Sequence, residues 1–383
     1  MSYRSIVHKQ KTMKRLLVVL ICLTATVTAY TQTATCWNNF RGNQSLTGTA
    51  NVTIPDKPKL LWNFKTGDNI KSAPVVCNGK IVVGSTDGTI YCLDLKGKLL
   101  WKFKTENSIE APALILNDKV YVGNLDGTLF ALKLSDGALL WKYKTDNQIM
   151  GSANWWKSGN QTSLVFGSYD YNLHCVDAET GKVRWKYESD NYINGSAACF
   201  NGKAIFGGCD GFLHVVELNT GKEDAKINVA TYVAGSCPVD GHVAYIGDYD
   251  GRFSRVDTED KKIDWGWENE NKDNKQPFVA SAALSGNKVV TGNRDKFVYC
   301  FDKNSGKLLW KYNSNNRVEA SPVIIKDKVL IANMRGDLQL LNLADGSLTW
   351  SYELGSAISN NPAVIENMII AGAMDGNIYC FGK

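Results

Sequence analysis

The chain has 383 residues, enough for two or three ordinary domains or for one large closed all-β fold. Its 34 glycines, 16 tyrosines and 11 tryptophans against 8 prolines favour many short strands joined by tight turns, and the lack of Ser/Pro/Gln tracts or charge blocks excludes extended disorder. The net charge of +5 falls to about zero once the five basic residues of the first 29 are set aside, which excludes the basic face that a nucleic-acid binder presents.

Arg4, Lys9, Lys11, Lys14 and Arg15 form a basic stretch without an acid, and Leu16 to Val27 follow as an apolar run. Val27-Thr28-Ala29 then supplies the small residues of a cleavage site, so residues 1–29 read as an export signal cut after Ala29, with Met13 an alternative start. The run is too short to cross a hydrocarbon core of roughly 30 Å, so no transmembrane segment is expected in the mature chain. Residues 30–57 form a lead-in. Cys36 within it follows Thr33-Ala34-Thr35, which departs from a lipid-attachment site in both the third residue before the cysteine and the residue next to it.

From residue 58 onward the chain repeats. Leu60-Leu61-Trp62-Asn63-Phe64-Lys65-Thr66 recurs almost unchanged as Leu99–Thr105 and Leu139–Thr145, and the series continues at Trp185, Trp265, Trp310 and Trp350. Ala225 stands at the one missing position, and the successive spacings are 39, 40, 44, 40, 40, 45 and 40 residues. Asp87-Gly88, Asp126-Gly127, Asp210-Gly211, Asp250-Gly251 and Asp375-Gly376 recur in step, with Asp170-Tyr171, Asp295-Lys296 and Arg335-Gly336 as degenerate copies. Asp-Gly between alternating apolar runs marks a tight hairpin turn whose backbone needs positive φ.

Each unit resolves into four strands. In the first they are Ala73–Cys77 (A), Lys80–Gly84 (B), Thr89–Leu95 (C) and Leu99–Lys104 (D), with Leu99, Trp101 and Phe103 expected on one face of D. Four-stranded units of about 40 residues are propeller blades. The chain opens on an unpartnered strand D at 60–66 and ends on an unpartnered strand C at 377–382. Pairing these two closes a single eight-bladed propeller over residues 58–383 and removes an exposed edge.

The motif Gly-x-x-x-Trp at Gly97…Trp101, Gly137…Trp141, Gly181…Trp185, Gly306…Trp310 and Gly346…Trp350, with the Asp-Gly turn upstream, resembles the PQQ-type propeller repeat. The preface Trp37-Asn38-Asn39-Phe40-Arg41-Gly42 is similar to the lead-in of such proteins, and the resemblance spans about residues 37–383. It implies that Trp62, Trp101, Trp141, Trp185, Trp265, Trp310 and Trp350 dock each blade onto the next. Ala225 in place of Trp, Lys261 in place of Gly and Pro58 in place of the first Gly are departures expected to weaken contacts around blades 4 and 5. The family holds both quinoprotein dehydrogenases and non-catalytic scaffolds of the BamB-like type that assist outer-membrane barrel assembly, and fold alone does not choose between them.

The residues favour the scaffold. No two cysteines are adjacent, as the dehydrogenases require over their cofactor, and no matching acidic set for calcium is found, so PQQ is disfavoured and no cofactor or metal is expected. Cys92, Cys175, Cys300 and Cys380 share one repeat position and read as packing residues; the other cysteines leave disulfide pairing open. His174 and His214 replace Tyr91, Phe130, Tyr299 and Tyr379 in the repeat and read as rim aromatics, and His242 falls in an A–B hairpin. No metalloprotease, nucleophile-elbow or phosphate-loop motif occurs. Each repeated Asp is expected to serve its own turn, since a hard cation needs about six converging oxygens.

Two surfaces stand out. The residues entering strand A are Lys71, Glu110, Met150, Asn194, Ala234, Val279, Glu319 and Ser359, and they are expected to ring the mouth of the axial channel. Of these, Lys71, Glu110, Asn194 and Glu319 are candidate contacts to a small polar ligand or a peptide. The D–A connections, with Asn191-Tyr192, Thr231-Tyr232, Asn315-Asn316-Arg317 and the long Asn269–Pro277 loop, are candidate recognition loops, and Trp155-Trp156 in an inserted hairpin is a candidate protein anchor. The expected function is an extracytoplasmic scaffold, periplasmic or envelope-associated, monomeric, with an envelope or outer-membrane protein as partner and no enzymatic activity. The alternatives are a quinoprotein-like dehydrogenase and a carbohydrate- or small-ligand-binding propeller.

Overall fold

A computed structural model describes residues 36–270 and 275–383. The expected export signal lies outside the described residues, as do Lys272 and Asp273 of the long D–A loop.

Eight antiparallel sheets follow one another along the chain, each in the order A-B-C-D. Blade 1 consists of Val75–Cys77, Lys80–Gly84, Thr89–Asp94 and Leu99–Lys104. Blades 2 to 7 repeat the pattern, and blade 8 takes A, B and C from Ala363–Ile365, Met368–Gly372 and Asn377–Gly382. Its strand D is Lys59–Lys65, paired with the C-terminal strand in the register Leu60–Phe381, Trp62–Cys380 and Phe64–Ile378. The ring therefore closes through its two chain ends, as the unpaired strands at 60–66 and 377–382 require. Among the described residues no helix is long and apolar enough to cross a membrane.

Strands B and C are buried on both faces, whereas D is the outer edge. The expected alternation of D needs correction at its start. Leu99 and Leu100 are both exposed, at 36% and 43%, because the ladder shifts register between Leu99 and Trp101 where two residues face one. This bulge recurs in the other blades, as between Leu60 and Trp62 and between Leu139 and Trp141, and it turns the Trp inward after an exposed pair.

Each of these tryptophans reaches the next blade. The indole N–H of Trp62, Trp101, Trp141, Trp185, Trp265 and Trp310 donates to the carbonyl of Leu95, Leu134, Ala178, Leu218, Lys303 and Leu343 at 2.9–3.3 Å. The ring rests on the glycine of the following unit, where an added Cβ would come within 2.6–2.7 Å of it. The spacing Gly-x-x-x-Trp thus places a receptor and a donor on blades 1, 2, 3, 6 and 7. Trp350, facing the split blade 8, packs against Phe381 at 5.9 Å between centroids.

The lead-in is built into the ring rather than preceding it. Strand A offers a backbone donor on its inner side, and residues 37–53 pass these donors in order. Val76, Ile115, Cys199, Val239, Leu284, Ile324 and Asn367 donate their N–H groups to Trp37, Asn38, Gln44, Ser45, Thr47, Gly48 and Thr53 at 2.8–2.9 Å. Asn39 meets Asn154 of blade 3 at 3.0 Å, so all eight blades are touched. Thr49–Ala50 adds a parallel fifth strand inside blade 7. Arg41 is fully buried and donates to Ala282 O at 2.8 Å and Pro322 O at 2.7 Å, on blades 6 and 7. With Asn39 held by blade 3, the chain between them crosses the axis. Burial pushes the Arg41 guanidinium down to about 9, still far enough above neutrality to stay charged. Gly48, at φ 64°, is where a Cβ would fall 1.9 Å from that guanidinium. A disulfide between Cys36 and Cys77 ties the start of the strap to blade 1.

Candidate functional site

The mouth face is assembled from two sets of loops. The residue that begins each B–C turn donates its N–H to the D–A connection that leads into its blade. The eight pairs are Thr86–Asn69, Leu125–Ser108, Tyr169–Gln148, Cys209–Tyr192, Tyr249–Tyr232, Arg294–Pro277, Met334–Arg317 and Met374–Ala357, at 2.9–3.3 Å. Side chains at these positions are therefore carried side by side around the rim.

In five blades the Asp of the B–C turn does more than its own turn requires. Asp87 Oδ1 accepts the N–H of Thr89 at 2.7 Å, while Oδ2 accepts the Tyr91 phenol at 2.6 Å and the Gly67 N–H of the neighbouring connection at 3.0 Å. The same pairing joins Asp375 to Tyr379 at 2.6 Å, Asp295 to Tyr299, Asp170 to His174 and Asp210 to His214. His174 and His214 are accordingly buried stand-ins for tyrosine, with the other ring nitrogen at 2.9 and 3.0 Å from the hydroxyls of Tyr143 and Tyr187. Burial alone would raise the Asp170 carboxyl, but the His174 hydrogen bond and charge outweigh it and hold it below the usual carboxylate range. The contrast is blade 2, where Phe130 has no donor: Asp126 Oδ1 is left without a hydrogen bond, with Lys144 Nζ at 3.6 Å.

The expected ring of channel-mouth residues converges. Lys71, Glu110, Met150, Asn194, Ala234, Val279, Glu319 and Ser359 line one cavity of about 180 Å³ with Phe40 of the strap also in its wall. The axial passage is a blind funnel, not the open hole implied by the repeat alone, because the strap crosses it. Below the mouth lies a belt of hydroxyls that the sequence reading passed over. The N–H groups of Ser152, Ser196, Ser236 and Ser281 each donate to the hydroxyl of the next blade's serine, Ser196, Ser236, Ser281 and Ser321, at 2.8–2.9 Å. Repeat alignment contained this signal, a serine two residues past five of the eight mouth positions.

The four singled-out mouth residues are brought together but mostly engaged. Lys71 Nζ is 2.8 Å from Glu110, and Glu319 is 2.9 Å from Arg294 Nε. Asn194 lies 2.9 Å from Cys209 Sγ and its Oδ1 is unpartnered, as are Asn360 Oδ1 and Asn361 Nδ2 in the same cavity. A tricarboxylate quinone would need free cations converging on it. Lys71 is the one cation among the described residues lining the funnel, and it is already paired, so these residues do not fit PQQ.

Around one side of the mouth runs an arc of tyrosines. Tyr169 stacks on Tyr192 at 4.7 Å, Tyr171 lies against Tyr192 at 5.2 Å, and Tyr232 faces Tyr249 at 6.3 Å. Tyr171, Tyr192, Tyr232 and Tyr249 are all exposed. Tyr171 also occupies the turn position held by glycine in most other blades, at φ 70°, a backbone region that bulky side chains avoid. Tyr192 and Tyr232 were legible as exposed loop residues; Tyr169, Tyr171 and Tyr249 join them only through the pairing of B–C turns with D–A connections. Trp155 and Trp156 lie elsewhere, on the strap side. Trp155 O accepts from Gln44 at 2.7 Å, Trp156 Nε1 is 3.4 Å from Asn219, and both indoles are half-buried against separate core clusters.

The family model of the outer membrane protein assembly factor BamB matches residues 48–191, 170–296 and 294–382. Among solved structures, BamB from Moraxella catarrhalis superposes with a TM-score of 0.71 at 18% identity, covering 85% of this chain and 98% of its own. A europium-containing methanol dehydrogenase gives 0.74 at 14% identity, covering 91% and 98%. The quinohemoprotein alcohol dehydrogenase of Comamonas testosteroni gives 0.75 at 12%, covering 91% and 80%. At these identities the likeness is one of fold. No curated protein matches the chain.

Proposed function

This chain belongs to the family of the outer membrane protein assembly factor BamB, and from that premise we propose that it is an exported, non-catalytic scaffold that binds a protein of the cell envelope through its mouth face. The tyrosine arc carries the reading. Tyrosine offers large, rigid contact area with a polar tip and is enriched where proteins bind one another, and here five of them sit on a rim that every blade hydrogen-bonds into place. A strained φ at Tyr171 on an exposed turn fits a position retained for recognition rather than stability. In this reading Lys71, Glu110, Asn194 and Glu319 form the polar centre that the arc surrounds, and a peptide segment of the partner meets the unpartnered amides there. Trp155 and Trp156, half-buried on the strap side, are kept as a separate contact.

Export is supported by the basic and apolar N-terminus and by the Cys36–Cys77 disulfide, a bond that persists in oxidising compartments. With its sulfur bonded to Cys77, Cys36 is not the bearer of a lipid thioether. A role in envelope or outer-membrane protein assembly is the natural use of such a surface in this family.

The test places a photo-cross-linking amino acid at Tyr192 or Tyr232 in living cells. The expected outcome is a discrete adduct with an envelope protein from both positions and none from Lys102 on the outer edge of blade 1. Equal labelling from all three positions, or no adduct from the two tyrosines, would overturn the reading.

A further inference from the structure

One seam of the ring lacks its indole. At the blade 4–5 boundary the docking tryptophan is Ala225, and the glycine that should receive it is Lys261, held at φ 55°. The two departures therefore belong to a single interface. Lys261 Nζ reaches back to Asp224 O at 2.8 Å, and Thr258 holds the backbone position whose carbonyl accepts an indole in six other seams.

A second filler is missing as well. In blades 2 and 5 a strand B tyrosine backs the indole, Tyr121 onto Ala178 O at 3.0 Å and Tyr245 onto Lys303 O at 3.3 Å. Blade 4 has Ile205 at that position. A cavity of about 240 Å³ lies at this seam, with Phe200, Ile205, Val215 and the Lys203–Asp224 ion pair on the blade 4 side and His242, Thr258 and Glu259 on the blade 5 side. Phe200 at its lip is 36% exposed, although Leu116, Ile325 and Ile365, at the same place in strand A, are 8%, 1% and 7% exposed. Each of those three packs in a cluster with the docking tryptophan of its own blade. Phe200 has none.

We infer that this seam is a socket for an aromatic side chain, tryptophan above all, supplied by a protein partner. The other seams of the same molecule show what fills the space: a flat ring against aliphatic strand residues, with a donor aimed at the carbonyl after strand C. Here Lys261 closes the glycine side, so the ring enters from the face of the A–B and C–D turns, past Phe200, and finds the Ile205 and Val215 side chains, the Lys203–Asp224 ion pair and the Thr258 carbonyl. The inference rests on the reading that the chain binds protein, but it concerns the strap-side face rather than the tyrosine arc. Two contact surfaces on one rigid ring would bind one partner far more tightly than either alone.

The test uses the full mature chain and N-acetyl-5-fluorotryptophan amide, followed by fluorine NMR. Saturable binding is expected, weakened at least about tenfold (~1.4 kcal/mol) in A225W/K261G, which rebuilds the seam as its neighbours have it, and in I205Y, which fills it as blades 2 and 5 do. The rebuilt variant should also melt at a higher temperature. Absence of saturable binding, or binding that both filled variants retain, would overturn the socket. Replacing Tyr192 and Tyr232 by serine should leave the probe bound. A chain that keeps the probe but yields no cross-linked partner counts against the mouth-face reading alone.

Discussion

Asp248 follows strand B of blade 5 as a buried carboxylate, with Oδ1 accepting the Arg252 N–H at 2.8 Å. Burial pushes its carboxyl up to about 6, and the hydrogen bonds only partly offset this. A native pKa above the unfolded value near 3.9 means that the ionised form is penalised in the fold. The penalty is absent below pH ~4, grows through the interval up to about 6 and is complete above it. The repeat supplies the remedy, since blades 2, 6 and 7 carry Asn124, Asn293 and Asn333 there, and these accept turn N–H groups at 2.8–3.0 Å. D248N should therefore raise stability in urea titrations by about 1–2 kcal/mol at pH 8 and leave it unchanged at pH 3.5. Asp87, Asp170, Asp210 and Asp375 have the opposite sign, since each is held below the usual range despite burial by its hydroxyl or imidazole partner. Their stabilisation is present above the unfolded pKa and is lost as pH falls. The repeat made the position of each Asp legible, but which side chain it would grip was not, because a hydrogen bond four residues along a bent strand depends on where the turn ends.

Indole seams join blades on top of the aliphatic packing between neighbouring sheets. Trp310 is 8% exposed, rests on Gly346 and donates to Leu343 O at 3.1 Å, whereas Leu309 beside it is 41% exposed. Trp310→Ala is expected to cost about 3–5 kcal/mol, as large aromatic truncations in packed cores do, and Leu309→Ala less than about 1 kcal/mol. Denaturant midpoints of the two variants measure the difference, and equal losses would show that the bulge does not separate them. Sequence pattern alone put Leu99 on the face of Trp101, since a period of two has no way of registering an extra residue. The bulge is set by how strand D must twist to send its indole across to the next blade. The departures at Ala225 and Lys261 were legible singly. That they meet at one seam follows only from the geometry, because the receptor of each tryptophan lies in the following unit.

The whole molecule depends on joining its ends. Strand Lys59–Lys65 completes blade 8 only if Asn377–Gly382 is present, and without it the ring has two open edges. A chain ending at Gly376 is expected to fail to accumulate as soluble protein, measured by soluble yield against the full chain; normal yield with an unchanged far-ultraviolet spectrum would contradict this closure. The strap adds a second tie, touching every blade and sealing the axis with Arg41. Blade number, the closing pair and the docking tryptophans follow from sequence by itself, because a repeat with a fixed turn and a fixed aromatic leaves one closed arrangement for strands that cannot stand unpaired. The plugged funnel, the Cys36–Cys77 bond, the tyrosine arc and the empty indole seat were decided by tertiary structure. Each joins residues from different repeats or from outside them, and the distances between such residues are set by the curvature of the ring, which no local pattern encodes.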